Sequence, residues 1–144
     1  MLMNLVLGLA TMGSCLLLQS LIFARSIVYY GRHDHLVNSP SFAASLLVIN
    51  GVMLLLVLGN LAQIAIWALP FQYMGEFPSF DDAFYHSAVN FATLGYGDLV
   101  MSEEHRLLGP IEAVNGVLMI GVSTAALTAA FQDAIKKTIN TRNR

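Results

Sequence analysis

The stretch Thr93-Leu94-Gly95-Tyr96-Gly97-Asp98 lies within residues 71–109, between an uncharged apolar run over residues 43–69 and another over residues 113–132. Its two glycines stand at alternate positions, where glycine permits the left-handed backbone that other residues avoid. Such a pattern suits neither a regular helix nor a regular strand. It predicts a loop of specialised backbone geometry, enclosed by two long helices.

Uncharged apolar runs dominate the chain. Residues 1–24, 43–69 and 113–132 contain no charged residue, and only 11% of the 144 residues are charged, against about 25% in an ordinary soluble domain. Each run reaches the ~20 residues that a helix needs to cross a bilayer. The first run lacks a basic start, so we expect a retained helix rather than a cleaved signal. The sequence predicts an all-α membrane protein with three transmembrane helices.

The basic residues lie in two segments. Arg25 and Arg32 belong to the first loop, and Lys136, Lys137, Arg142 and Arg144 belong to the C-terminal segment, whereas six acids cluster between residues 76 and 104. Positive charge marks cytoplasmic segments. We therefore expect a multi-pass protein of the cell membrane, with its N-terminus and acidic loop outside and its C-terminus in the cytoplasm.

These signals predict an order of segments along the chain. We expect an N-terminal transmembrane helix over residues 1–26, a cytoplasmic loop over 27–41 that closes on the turn signal Asn38-Ser39-Pro40-Ser41, a central module over 42–132 and a short cytoplasmic tail over 133–144. Within the module the predicted elements are an outer helix over 42–69 that Pro70 stops, a short helix over 80–92, the loop 93–98 and an inner helix over 110–132.

The short helix has its own start signals. Ser79 is a suitable N-cap, and Asp81 and Asp82 place negative charge in the first turn. At 1.5 Å per residue the helix spans roughly 20 Å, too little to cross the membrane. We therefore expect it to enter the bilayer part-way and to return through residues 93–98.

Backbone at membrane depth that is not helical must be buried by protein or satisfied by water or ions. A cation filter uses backbone carbonyls in place of the hydration shell of the ion. In such a filter, we expect cations to bind at the carbonyls of Thr93, Leu94, Gly95 and Tyr96, and the Thr93 hydroxyl to add one more oxygen. Gly97 completes the selectivity filter, Asp98 attracts cations at the outer mouth, and the Leu94 and Tyr96 side chains brace the loop against the short helix.

Residues 93–98 resemble the Thr-Val-Gly-Tyr-Gly-Asp signature of the potassium channel superfamily. The order of outer helix, pore helix, filter and inner helix over residues 42–132 is similar to the two-transmembrane pore module of that family, most closely to its small bacterial members. The resemblance implies a homotetramer surrounded by membrane lipids, with the ion path on its axis, in a bacterial inner membrane. It implies no cofactor other than permeant K⁺.

The chain departs from the family pattern around the filter. Leu94 replaces the usual Val, Ala92 stands where a second Thr or Ser is frequent, and Val89 stands where some members have a carboxylate. Tyr85-His86 replaces a frequent pair of tryptophans. These changes bear on the stability and inactivation of the filter more than on its selectivity.

The inner helix offers candidates for gating. Gly121 resembles the glycine hinge of the family, Gly116 is a second candidate, and either can instead serve close helix packing. Small residues at helical spacing, Ser123, Ala126 and Ala130, suit the lining of a water-filled cavity.

Four further features concern polar side chains outside the filter. His33-Asp34-His35 is read as a solvated turn rather than a metal site. Glu112 either sits behind the filter or caps the helix. Asn50, Asn60 and Gln63 are expected to hydrogen-bond between helices. His86 is read first as hydrogen-bonded structure and second as a pH sensor.

Potassium-selective conduction is the main functional hypothesis. A weakly selective monovalent cation channel and a non-conducting regulatory subunit are the alternatives. No segment repeats Arg or Lys at every third position, and only 12 residues follow Gln132, so we expect neither a voltage sensor nor a regulatory domain. Any gate then lies in the filter, in the inner helices or on a separate regulatory partner. The sequence contains no nucleophile–base pair, metal-ligand spacing or phosphate loop, so we predict no enzyme activity.

Overall fold

A computed structural model describes residues 1–39 and 41–142, without the side chain of Arg142. Five helices account for most of these residues: α1 (Leu2–Arg32), α2 (Asp34–Val37), α3 (Phe42–Tyr73), α4 (Phe80–Phe91) and α5 (Leu108–Arg142). The described residues form no β-strand. Three of the helices, α1, α3 and α5, are long and apolar enough to cross a membrane. The predicted all-α architecture with three membrane helices is confirmed.

The long helices continue beyond their predicted ends. α1 runs to Arg32 rather than to residue 26, and α5 runs from Leu108 to Arg142 rather than over 110–132. Much of the predicted loop and most of the predicted tail are therefore helical. Charged side chains end a hydrophobic run, but they do not end a helix, because Arg and Lys are good helix formers. Pro40 and residues 143–144, which belong to the predicted turn and tail, lie outside the described residues.

Pro70 does not end α3, contrary to the sequence-based prediction. It lies inside the helix, which continues for another turn with Met74 N–H bonded to the Pro70 carbonyl at 3.0 Å. The helix stops at Gly75, which has φ +74°. Gly75 N–H bonds to the Gln72 carbonyl at 2.9 Å and Glu76 N–H to the Phe71 carbonyl at 3.1 Å. These two bonds are those of a Schellman motif, in which glycine supplies the left-handed residue.

The chain divides into two compact units. The first contains Met1–Gln19 and Asn60–Ile120, and the second contains Ser20–Gly59 and Gly121–Arg144.

The first unit has an apolar core around α4. Its buried members come from every helix of the unit and from the loop between α3 and α4: Cys15, Ile64, Trp67, Ala68, Phe71, Phe77, Ala83, Phe91, Leu108 and Met119. Gln63 donates to the Gln19 side-chain oxygen at 2.7 Å, which confirms the predicted bond between two membrane helices. The apolar core includes Ala83 and Phe91 of α4, so it sets the position of this helix, which leads into residues 93–98.

The second unit is held by a smaller core and by charges. Val37, Val48, Ile49 and Ala134 are buried together. Lys137 binds Asp133 at 2.7 Å and Asp34 at 2.8 Å. Asp34 therefore belongs to an ion pair, and the predicted solvated turn at His33-Asp34-His35 is partly helical, with the Asp34 side chain 49% exposed.

Candidate functional site

The short helix α4 begins as its sequence predicts. The Ser79 hydroxyl accepts the Asp82 N–H at 3.1 Å, and Asp81 and Asp82 occupy the first turn. This N-cap satisfies one of the free N–H groups at the helix start, and the two carboxylates complement the helix dipole. The predicted cap is confirmed, and the helix spans Phe80–Phe91 with Ala92 as its C-cap.

The C-terminal end of α4 leads directly into residues 93–98. Thr93 N–H bonds to the Asn90 carbonyl at 2.9 Å, and Leu94 N–H bonds to the Val89 carbonyl at 2.8 Å. This is the same Schellman pattern that ends α3. Here the left-handed residue is Thr93, with φ +58°, instead of a glycine. A β-branched residue in this conformation is strained by roughly 1–3 kcal/mol.

The backbone of residues 93–97 alternates in the sign of φ. Thr93, Gly95 and Gly97 have φ values of +58°, +61° and +74°, and neither Leu94 nor Tyr96 has positive φ. The predicted positive φ values of the two glycines are confirmed, whereas the positive φ of Thr93 was not predicted. The positive φ of Thr93 could have been predicted from its position. Thr93 is the second residue after the end of α4, where the left-handed residue of a helix cap normally stands. An alternation of this kind allows successive carbonyls to face the same side.

Asp98, at the end of this segment, is tied back to α4. The Tyr85 hydroxyl donates to Oδ2 of Asp98 at 2.6 Å, and the Leu99 N–H donates to Oδ1 at 3.0 Å. The hydrogen bond from Tyr85 lowers the pKa of Asp98, and the same bond raises the pKa of Tyr85. Asp98 is therefore an ionised carboxylate at neutral pH, as the proposed attraction of cations requires.

His86 forms a second link between α4 and the returning chain. Its Nδ1 lies 2.9 Å from the Leu99 carbonyl, and its Nε2 lies 2.9 Å from Nδ2 of Asn90. Because a carbonyl only accepts, Nδ1 carries the proton, and Nε2 then accepts from the amide. Both nitrogens of a neutral imidazole are thus satisfied. The structure supports the hydrogen-bonded structural reading of His86.

Glu76 organises the rest of the outer loop. Its carboxylate accepts from Ser102 N–H and from the Ser102 hydroxyl, both at 2.6 Å, and lies 2.5 Å from Nδ1 of His105. Burial raises the pKa of Glu76, but the hydrogen bonds from Ser102 and His105 outweigh it, so the pKa lies below its usual value. This cluster has no signal in the sequence, because Ser102 and His105 lie 26 and 29 residues after Glu76.

Leu94 and Tyr96 do not pack within the chain. Their exposed fractions are 53% and 66%, so the predicted bracing against α4 is not formed by one chain alone. A cavity of about 390 Å³ is lined by Thr93 and Gly95 of the predicted filter and by Gly109 near the start of α5. One chain therefore leaves the predicted filter largely uncovered.

The two candidate hinge glycines have different surroundings. A Cβ atom built on Gly116 would lie 2.0 Å from the carbonyl oxygen of Phe91, the last residue of α4. A Cβ atom on Gly121 would meet nothing within 4 Å. Gly116 is therefore required for close packing of α5 on α4. The space around Gly121 leaves its role as a hinge a prediction.

The predicted cavity-lining residues belong to the second unit. Ala126 and Ala130 line a cavity of about 310 Å³ together with Phe23 and Tyr30 of α1, and Ser123 is buried. The Tyr30 hydroxyl contacts the Ala130 carbonyl at 3.4 Å. Because α1 covers this face of α5 in the chain, an axial, water-filled cavity lined by these residues stays a prediction.

A protein-family model described as an ion channel matches residues 54–133, which is more than half of the chain. The matched range includes most of α3, all of α4, the segment 93–98 and most of α5. The chain therefore belongs to the ion channel family, and the predicted potassium-channel type of pore module with an additional N-terminal helix is confirmed. A comparison with curated proteins and a comparison with solved structures find no match.

Family and fold together define the class of this protein. It is a multi-pass membrane protein and a subunit of an ion channel, so its class is that of transport proteins.

Proposed function

We propose that this chain is a potassium-selective channel subunit, which conducts K⁺ passively through residues 93–97 of four identical chains. The observation that carries the proposal is the alternation of φ at Thr93, Gly95 and Gly97, directly after a short capped helix. Carbonyl rings in series replace the hydration shell of K⁺ and let ions displace one another along the path. In this proposal the carbonyls of Thr93, Leu94, Gly95 and Tyr96 bind K⁺.

The exposed surface supports assembly into a homotetramer. Leu94 and Tyr96 are uncovered on the filter segment, and an apolar groove of about 300 Å³ beside Thr93 is lined by Val114, Val117 and Leu118. Closing a carbonyl ring requires several copies of the segment, and the same step would cover these side chains. We infer that Leu94 and Tyr96 are braced by neighbouring subunits rather than by their own α4.

The charge pattern supports an orientation in the membrane. Asp98 and the Glu76 cluster lie in the acidic segment, whereas Lys136 and Lys137 lie in the last part of α5. Following the positive-inside rule, we propose that the filter mouth faces outside and the C-terminus faces the cytoplasm of a bacterial cell. Gating then lies in the filter, in the inner helices or on a separate partner protein.

The test is a measurement of reversal potentials in planar bilayers with K⁺ on one side and Na⁺ on the other. The proposal predicts a strong preference for K⁺, block by barium and loss of flux in Gly95→Ala, because alanine disfavours a φ of +61°. The matched control is Gly13→Ala in α1, where an added Cβ meets nothing within 4 Å. Equal permeability for the two cations would instead establish the weakly selective alternative, and tetramers without flux would establish a non-conducting subunit.

A further inference from the structure

The Ser87 hydroxyl, on α4, lies within hydrogen-bonding distance of two oxygens. The Ile64 carbonyl of α3 is 2.8 Å away, and Oε1 of Glu112 on α5 is in close contact. Ser87 and Glu112 are fully buried. One side chain of the pore helix thus meets both neighbouring membrane helices at a single point.

The number of protons restricts how these contacts form. A hydroxyl has one proton to donate, and a backbone carbonyl can only accept. If Ser87 donates to Ile64, the proton between Ser87 and Glu112 must come from Glu112. If Ser87 donates to Glu112, the Ser87 and Ile64 oxygens face each other at 2.8 Å without a proton between them. Only a protonated Glu112 satisfies both contacts.

The surroundings of Glu112 favour the same protonation state. Its second oxygen, Oε2, is buried without a hydrogen-bond partner. Within residues 1–39 and 41–142, no basic side chain forms an ion pair with Glu112. A buried, unpaired carboxylate is strongly unfavourable, above all at membrane depth.

Among the side chains that the structure describes, those that face Glu112 carry no counter-charge. Cys15 approaches from α1 and Asn90 from α4, and Cys15 is the titratable one of the two. A neutral thiol and an amide cannot balance a carboxylate. A neutral carboxylic acid, by contrast, leaves only a carbonyl-like oxygen without a partner.

We propose that Glu112 is a neutral carboxylic acid that donates to Ser87, which in turn donates to the Ile64 carbonyl. Glu112 is then a positioning residue, because this relay fixes α4 between α3 and α5. Thr93 follows Ser87 by only six residues, so the position of α4 sets where the filter begins. The effect on conduction rests on the proposed function, whereas the protonation state does not.

Infrared spectroscopy of the purified full chain in liposomes tests the protonation directly. At neutral pH the wild type should show the carbonyl stretch of a protonated carboxyl group, and Glu112→Gln should abolish this band. In Ser87→Ala the band should shift, because its hydrogen-bond acceptor is gone. The control Glu103→Gln, at an exposed acid, should leave the band unchanged. A wild type without the band, or a band unaffected by both Glu112→Gln and Ser87→Ala, would overturn the proposal.

Potassium flux tests the positioning role. Glutamine keeps an N–H donor toward Ser87, so Glu112→Gln should retain flux within about twofold, whereas Glu112→Ala should lose it by about tenfold. Equal losses in the two variants would refute the donor role. If Glu112→Gln does not assemble, the shift of the band in Ser87→Ala decides. A clear band in a chain that shows no K⁺ selectivity would refute the proposed function and leave the neutral acid established.

Discussion

The Tyr85 hydroxyl donates a hydrogen bond of 2.6 Å to Oδ2 of Asp98, which joins the middle of α4 to the far end of the filter segment. The two residues are 13 positions apart, and residues 93–97 lie between them. This bond therefore closes a loop around the predicted filter. Both groups are at the surface of the single chain, so the bond is expected to matter for the conformation of the filter more than for global stability.

Tyr85→Phe should loosen the outer end of the filter. The variant keeps the ring and removes only the hydroxyl, so Asp98 loses the donor that lowers its pKa. We expect faster decay of the K⁺ current and a lower preference for K⁺ over Na⁺, measured in planar bilayers. Tyr73→Phe, at a tyrosine that is 94% exposed, is the matched control. Identical currents in Tyr85→Phe and wild type would show that the bond does not hold the filter.

Thr93→Val should show whether the Thr93 hydroxyl contributes to conduction, apart from the shape of the side chain. Valine is β-branched like threonine, so the strain at φ +58° stays similar, but the hydroxyl oxygen is lost. Single-channel conductance should fall by roughly fivefold to tenfold if this oxygen contributes about 1 kcal/mol to binding of the ion. Thr93→Ser keeps the hydroxyl and should conduct nearly as the wild type does. Equal conductance in the two variants would show that the Thr93 hydroxyl does not contribute to the ion path.

Gly116→Ala and Gly121→Ala should behave differently. The first places a Cβ 2.0 Å from the Phe91 carbonyl oxygen and should destabilise the protein by at least 1–3 kcal/mol, a typical magnitude for overpacking. The second meets no neighbour and should change stability by less than about 1 kcal/mol, since alanine is the better helix former. Thermal unfolding in detergent measures both.

The same pair of variants tests the hinge. If Gly121 bends during gating, Gly121→Ala should lower the open probability in single-channel recordings without loss of stability. An unchanged open probability would exclude Gly121 as the hinge.

Acid should weaken the outer loop through Glu76. Its pKa in the folded chain lies below the ordinary value of 4.5, so its stabilising contribution is fully present above pH 4.5 and is lost as the pH falls through the lowered pKa. Glu76→Gln should lower the free energy of unfolding at neutral pH by about 1–3 kcal/mol, the usual range for a hydrogen-bonded charge, and should flatten the acid dependence. Thermal unfolding at several pH values measures this.

The control for Glu76 is Glu103→Gln, at an exposed acid of the same loop. It should leave both the stability and its pH dependence unchanged. Equal effects of the two substitutions would mean that net charge, not the Glu76 cluster, governs the acid response.

The three membrane helices, the N-cap at Ser79 and the positive φ of Gly95 and Gly97 could be predicted from the sequence. These features depend on local chemistry. A membrane helix follows from the length of an uncharged run, and an N-cap follows from a hydroxyl one position before the helix. A positive φ is favoured where a residue has no Cβ. Each of these effects involves only neighbouring residues. The family could be predicted too, because its signature is one continuous hexapeptide between two such runs.

Other features were decided by the tertiary structure. Pro70 was expected to stop α3, but a packed helix tolerates the loss of one hydrogen bond, and Gly75 ends it instead. The role of Gly116 depends on how closely α5 approaches the Phe91 carbonyl. This distance joins two different helices, so it cannot be predicted from the sequence of either one.

Glu112 shows the difference most clearly. From the sequence it was either a residue behind the filter or a helix cap, because its spacing fits both. The structure buries its side chain against Ser87 of α4, which is 25 residues away along the chain, and a place behind the filter stays a prediction. Whether a carboxyl group is ionised depends on which groups surround it, and this surrounding exists only after three helices have packed together.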